Sequence, residues 1–279
     1  MYNIPIIAYH KISNEKEFGL TTITIDNFER QIDTILSNGY TPITFKKLKE
    51  NNNLPKKPII ITFDDGYESV YTNAFPILQK HNATAVVFII ANYMGKINKW
   101  EALERQRRFK HLSKKQIIEL CNYGFEIGSH GLSHKYLPFY SDHIVYEEVF
   151  ESKNILEYIT GESVISFCYT YGRYNNKVLN IVQKAGYSHA TCNIKFFNKN
   201  NTFTLYRRSI YSSNKNSTLI NKINHPYSYN YAYLNEWIIQ REALASIALN
   251  IFKNIYTRSL NITCNFLLFY HIFSNTLDF

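Results

Sequence analysis

The feature that most constrains the fold is a short apolar run that ends in two adjacent carboxylates. Residues 59–67 read Ile-Ile-Ile-Thr-Phe-Asp-Asp-Gly-Tyr. The isoleucines and the phenylalanine predict a buried strand, and Gly66 permits a sharp turn directly after Asp64 and Asp65. Adjacent acids that lose water at a strand end repel each other, so they need a metal ion or a shared proton. An isolated Asp-Asp pair is more often a helix N-cap than part of an active site. Other motifs in the chain are needed to choose between these two interpretations.

Strand and helix patterns alternate along most of the chain. Apolar runs typical of strands occur at residues 4–9, 59–63, 83–91, 125–129, 164–169 and 188–192. Amphipathic helical spacing lies between several of them, most clearly at residues 141–160. The alternation predicts an α/β fold whose parallel sheet is covered by helices and is either open or closed into a barrel.

The organising signals weaken towards the C-terminus. We expect one domain at residues 1–211 and an extension of uncertain role at residues 212–279, with an amphipathic helix at residues 237–256. The longest apolar run, at residues 266–273, is too short to span a bilayer.

Five residues are expected to converge because each follows a predicted strand. They are Asp64, Asp65, His130, His134 and Tyr171. The C-terminal ends of parallel strands meet on one face of the sheet, where such folds place their chemistry. A His-x-x-x-His spacing lets two imidazoles reach one ion, and together with a carboxylate they suit Zn²⁺ or a similar divalent ion. If Asp65 is the third ligand, Asp64 is left to take a proton from a bound water.

Composition and charge exclude some functions. The formal net charge is +9, but no dense basic run accompanies it, so a nucleic-acid partner is not expected. The four cysteines contain no Cys-x-x-Cys pair, which argues against a thiolate zinc site or a disulfide framework. The N-terminus lacks the pattern of a secretory signal, so we expect a cytoplasmic protein. The positive charge would suit peripheral contact with the cytosolic membrane face, and the oligomeric state is not indicated.

Three motifs resemble those of the polysaccharide deacetylases with a NodB-homology domain. They are Thr-Phe-Asp-Asp-Gly at residues 62–66, Gly-Ser-His-Gly-Leu-Ser-His at residues 128–134 and Phe-Cys-Tyr-Thr-Tyr-Gly at residues 167–172. The resemblance covers about residues 4–210. It implies a distorted (β/α) barrel resembling a TIM barrel and the metal-dependent removal of an N-acetyl or O-acetyl group from a sugar.

The resemblance also implies roles for individual residues. Asp64 would be the catalytic base, and the backbone amide of Tyr171 would help to bind the oxyanion. Asp65, His130 and His134 would bind the metal, which we expect to be zinc, with cobalt or nickel as alternatives.

The general acid is expected at the N-terminus. Ile-Ile-Ala-Tyr-His at residues 6–10 is similar to the first strand of a subgroup resembling poly-N-acetylglucosamine deacetylases. In that subgroup this strand supplies the general acid. We therefore expect His10 to have that role, with His271 in Phe-Tyr-His near the C-terminus as the alternative.

Three departures from the family pattern concern the surroundings of the site. Thr170 stands where the third motif usually has proline, so the loop at Tyr171 is expected to be less rigid. Gly131 replaces a serine or threonine and removes a hydrogen bond behind the ligand histidines. The arginine of the third motif is not evident, and Arg207 or Arg208 is the candidate to orient Asp64.

The expected substrate is an N-acetylated glycan or a lipid-linked sugar that is accessible from the cytosol. Two alternatives stay open: hydrolysis of a small non-sugar amide on the same metal site, and a non-catalytic glycan-binding protein. The second would predict loss of the acid or the base, yet Asp64 and His10 are both present.

Overall fold

The computed structural model describes residues 4–15, 20–50, 53–98, 109–193, 201–214 and 216–224. The predicted helix at residues 237–256 and the alternative acid His271 lie outside these ranges. The described strands are β1 (Ile6–Tyr9), β2 (Lys11–Ile12), β3 (Thr22–Ile23), β4 (Thr41–Ile43), β5 (Pro58–Phe63), β6 (Val86–Ile89), β7 (Glu126–Ser129), β8 (Ser166–Cys168), β9 (His189–Cys192), β10 (Leu205–Tyr206) and β11 (Arg208–Ser209). The described helices are α1 (Ile25–Ser37), α2 (Phe45–Glu50), α3 (Phe75–Lys80), α4 (Lys114–Asn122), α5 (Asp142–Thr160), α6 (Asn176–Lys184) and α7 (Asn216–Asn224).

The main sheet is parallel and nearly closes on itself. Its strand order is β10-β9-β8-β7-β6-β5-β1-β11, and β4 pairs with the first half of β5. Strand β10 pairs with β9 and strand β11 pairs with β1, and only Arg207 separates these two short strands. Residues 205–209 therefore join the two ends of the sheet. The expected distorted barrel is confirmed.

The central strand β5 is apolar on both faces because both faces are covered. Ile59 and Ile61 belong to a large buried cluster that includes residues of α1, whereas Ile60 belongs to a second cluster with Ile6 and Val86 of neighbouring strands. Side chains alternate across a strand, so the first cluster lies between sheet and helices and the second fills the inside of the barrel. This double burial explains why the sequence of β5 is continuously apolar rather than alternating.

Helix α7, the first part of the predicted extension, packs on the barrel. Leu219 and Ile223 are buried in the main core, and Lys222 Nζ donates a hydrogen bond to the carbonyl of Ser209 at 2.7 Å. The boundary after residue 211 stays a prediction. Within the described ranges, no helix has the length and apolar character of a membrane span.

Gly128 of β7 lies in a tightly packed part of the barrel, and a substitution there can test this packing. A Cβ at this position would lie 2.5 Å from Phe88 Cδ1 and 2.7 Å from Ser166 Oγ, and both of these residues are buried in the barrel. We therefore expect Gly128→Ala to lower the free energy of unfolding by about 1–3 kcal/mol, as other overpacking substitutions do. Urea denaturation measures the change. The control Asn154→Ala, on the exposed surface of α5, should change the free energy of unfolding by no more than about 0.5 kcal/mol. An equally small change for Gly128→Ala would contradict the packing argument.

Candidate active site

The predicted site residues do lie together at the C-terminal edge of the barrel. Asp64 and Asp65 follow β5, His130 follows β7, Tyr171 follows β8 and His10 follows β1. Asp64 and Asp65 are buried, and so are His130 and His134, while the His10 side chain is 23% exposed. The topology of a parallel barrel thus brings together residues that are far apart in sequence.

Three side chains converge at a spacing that suits a divalent ion. Asp65 Oδ1 lies 3.4 Å from His130 Nε2 and 3.3 Å from His134 Nε2. In a tetrahedral zinc site with metal–ligand bonds of about 2.0–2.1 Å, neighbouring ligand atoms are about 3.3 Å apart. Asp65 Oδ1 accepts no hydrogen bond within the described part of the chain. Asp65, His130 and His134 therefore fit a metal ion both in chemistry and in spacing, and we call them the triad.

A backbone contact fixes the His130 ring in the orientation that a metal ligand needs. Its Nδ1 lies 2.8 Å from the carbonyl oxygen of Cys168. A carbonyl can only accept, so Nδ1 carries a proton, and Nε2, which faces Asp65, is the ring nitrogen left to bind a metal ion.

Asp64 is held by a buried arginine. Arg207 Nη1 donates to Asp64 Oδ1 at 2.6 Å, and Arg207 Nη2 donates to Asp64 Oδ2 at 2.7 Å. Burial alone would raise the pKa of Asp64, but the charge and hydrogen bonds of Arg207 outweigh it and hold the pKa below its ordinary value. Arg207 is therefore the arginine that contacts Asp64, while the Arg208 guanidinium lies 5.4 Å from the Tyr206 ring centroid.

Cys168 belongs to the third motif, but the sequence analysis gave it no role at the site. Its Sγ lies 3.1 Å from Arg207 Nη2 and 3.7 Å from Asp64 Oδ1. Asp64, His130 and Cys168 are also close enough to hold an ion. However, the guanidinium of Arg207 touches both Asp64 and Cys168, and its positive charge opposes a cation there. The triad is the better metal site. The available sequence signal was the place of Cys168 within the third motif, at the end of a buried strand.

The candidate acid and the candidate oxyanion loop border the same space. His10 Nε2 is 3.9 Å from Asp64 Oδ2. The Tyr171 ring lies 4.7 Å from the His134 ring, measured between centroids. Tyr171 has a φ of 58°, Asp65 a φ of 67° and His134 a φ of 59°. Residues other than glycine rarely adopt this left-handed conformation, so the surrounding contacts must hold all three in place.

Two departures from the family pattern have structural counterparts. Thr170 Oγ1 donates a hydrogen bond to the carbonyl of Lys135, a contact that proline could not make. It anchors the loop that was expected to be less rigid. Gly131 has a φ of 79°, and a Cβ there would lie 3.3 Å from Glu148 Oε2. Glycine at this position therefore leaves room for the Glu148 carboxylate.

Comparisons with known proteins show the family of the chain. A sequence profile described as polysaccharide deacetylase matches residues 51–190. The chain therefore belongs to the polysaccharide deacetylase family. It is 28% identical over 188 residues to the poly-beta-1,6-N-acetyl-D-glucosamine N-deacetylase of Staphylococcus epidermidis, and the match covers 63% of this chain and 62% of that relative. The matched region is thus less than two thirds of the relative's length.

Solved structures resemble the fold. A polysaccharide deacetylase from Bacillus cereus is 28% identical with a TM-score of 0.67, and the match covers 79% of this chain and 68% of that one. The deacetylase PplD from Streptococcus pyogenes is 24% identical with a TM-score of 0.68, and the match covers 79% of this chain and 97% of that one. At this identity, the second likeness concerns the fold alone.

The buried pair of Arg207 and Asp64 should be strongly coupled in stability. Removal of one partner leaves the other as an uncompensated buried charge, so Arg207→Met should lower the free energy of unfolding by about 3–5 kcal/mol. Asp64→Asn added to Arg207→Met should restore part of that loss. Urea denaturation of the two single variants and the double variant gives the coupling energy. Additive effects within about 0.5 kcal/mol would show that the pair is not coupled.

The same pair gives the stability a defined pH dependence. The pKa of Asp64 is lowered in the folded protein from its ordinary value of 3.8. Its stabilising contribution is therefore full well above that value and is lost as the pH falls through the lower pKa of the folded state. The difference in stability between the wild-type chain and Arg207→Met should accordingly narrow when denaturation is repeated below about pH 4.

Proposed function

We propose that the chain is a metal-dependent hydrolase that removes an acetyl group, N-acetyl in the first instance, from a sugar unit of a polysaccharide. The observation that carries the proposal is the triad standing beside an ionised Asp64 that Arg207 holds through both oxygens. The staphylococcal relative is named for a β-1,6-linked N-acetylglucosamine polymer. Oligomers of that sugar are therefore the first substrate to test.

Asp65, His130 and His134 would hold the ion. Two imidazoles and one carboxylate suit Zn²⁺ first, with Co²⁺ or Ni²⁺ as alternatives. When bound, the ion would polarise the acetyl carbonyl and lower the pKa of a water molecule.

The remaining residues supply proton transfer and charge stabilisation. Asp64 accepts a proton from the attacking water, and Arg207 keeps this carboxylate ionised and oriented. The backbone N–H of Tyr171 donates a hydrogen bond to the oxygen on which negative charge develops. His10, which faces Asp64, donates a proton to the departing sugar amine as the C–N bond breaks. The products are acetate and a free amino sugar.

A lipid-linked N-acetylated sugar is the second substrate class that we propose. The formal net charge of +9 supports contact with an anionic membrane surface, where such a substrate would be found.

Acetate release from β-1,6-linked N-acetylglucosamine oligomers tests the proposal. Chelation should abolish release, and added Zn²⁺, Co²⁺ or Ni²⁺ should restore it. Asp64→Asn should lower the rate by about 10²–10⁴-fold because it removes the base, while bound metal stays stoichiometric. Asp142→Asn, at an exposed carboxylate at the start of α5, is the matched control and should keep full activity.

Two other outcomes would change the proposed mechanism or the proposed substrate. Release that survives both the chelator and Asp64→Asn would refute the mechanism. Bound metal without release would leave the site intact and direct the search to lipid-linked sugars or small amides.

A further inference from the structure

A buried carboxylate lies directly behind the loop that carries the two histidines of the triad. Glu148 of α5 is 2% exposed. Its Oε2 accepts hydrogen bonds from the backbone amides of Leu132 at 2.9 Å and Ser133 at 2.8 Å. Its Oε1 accepts from the Ser133 hydroxyl and from Lys135 Nζ, the latter at 2.5 Å. The four acceptor sites of an ionised carboxylate are thus all used.

These contacts matter because residues 130–134 form a loop without regular secondary structure. Gly131 and His134 both have positive φ, and the segment between the two histidines belongs to no helix or strand. On one side, the carbonyls of Gly131 and Leu132 accept hydrogen bonds from the amides of Ala91 and Asn92. On the other side, Glu148 takes the loop amides. The backbone between His130 and His134 is therefore fixed from two directions.

The anchor continues to the candidate oxyanion loop. Lys135 is bound to Glu148 by its side chain and to the Thr170 hydroxyl by its carbonyl. Thr170 directly precedes Tyr171, whose amide is the proposed oxyanion donor. A single chain of contacts thus runs from α5 through the histidine loop to the third motif.

We propose that Glu148 is a positioning residue of the metal centre: it fixes the loop so that His134 Nε2 stays within reach of Asp65 and His130. This inference rests on the proposed function only in taking the triad as a metal site. Glu148→Gln has nearly the same shape but replaces one acceptor oxygen with an NH₂ donor. In either orientation, that donor faces either the two backbone amides or the ammonium group of Lys135, and the charge of Lys135 loses the carboxylate of Glu148.

The test is the metal affinity of the full chain, measured without substrate. Metal-free wild type and Glu148→Gln are titrated with Zn²⁺ in competition with a chromophoric chelator. We expect Glu148→Gln to bind Zn²⁺ about 10- to 100-fold more weakly, as substitutions behind metal ligands generally do. Glu151→Gln, at an exposed position on the same helix, is the matched control and should bind as wild type does.

Two further readouts separate positioning from a general loss of stability. A purely structural role would lower the melting temperature of the metal-free protein and leave the Zn²⁺ affinity of the folded fraction unchanged, which would overturn the inference. A positioning role should also alter the visible absorption of the Co²⁺-loaded protein, and Glu148→Asp, which keeps the charge, should recover part of the affinity.

The remaining outcomes are equally decisive. If Glu148→Gln does not fold, Ser133→Ala removes one donor to Glu148 without leaving a buried charge, and it should show a smaller loss of affinity. Equal affinity in Ser133→Ala and wild type would then overturn the inference. If wild type itself binds no ion, both the proposed function and the inference about Glu148 fail. Tight binding by wild type and Glu148→Gln alike refutes this inference alone.

Discussion

The contact between Arg207 and Asp64 joins the closure of the barrel to the chemistry of the site. Arg207 lies between β10 and β11, in the segment that hydrogen-bonds to β9 on one edge and to β1 on the other. Its side chain reaches Asp64 at the end of β5 inside the barrel. A buried guanidinium is tolerable only when its charge and donors are matched. The closing segment therefore finds its partner only when Asp64 is in place, and the buried carboxylate of Asp64 has its counter-charge only when the barrel is closed.

Three residues of the site have a strained backbone, and buried polar contacts hold them in place. Asp65, His134 and Tyr171 occupy a left-handed conformation that costs about 1–3 kcal/mol for residues other than glycine. His111 Nδ1 contacts the carbonyl of Asp65 at 2.8 Å, and Glu148 and Thr170 hold the segments next to His134 and Tyr171. Each strained residue thus has a buried polar contact near it. These contacts keep the three residues in conformations that, taken alone, lower the stability of the fold.

The sequence predicted the parts of the molecule that leave a local pattern. Continuous apolar runs marked β5 and β6, and their order with the helices predicted a parallel sheet, either open or closed into a barrel. The distorted barrel was implied by the family resemblance. No local pattern shows which of the candidates Arg207 and Arg208 contacts Asp64. The contact joins residues 143 positions apart, and the flanking strands of two residues have no periodicity. The sequence does contain a signal for Glu148. It lies on the buried face of α5 with Val145, Val149 and Leu156, where a charged side chain needs polar partners. The cellular location and the boundary of the C-terminal extension stay predictions.

The position of His10 follows from strand register rather than from local sequence. Strand β1 lies between β5 and β11, and its register with β5 places Tyr9 opposite Phe63. The next residues on the two strands are His10 and Asp64, and the amide of Asp64 donates to the carbonyl of Tyr9 at 2.9 Å. A slip of one residue would bring Lys11 to this place and turn every apolar side chain of β1 to the wrong face. Core packing therefore fixes the register, and the register brings the proposed acid to the proposed base.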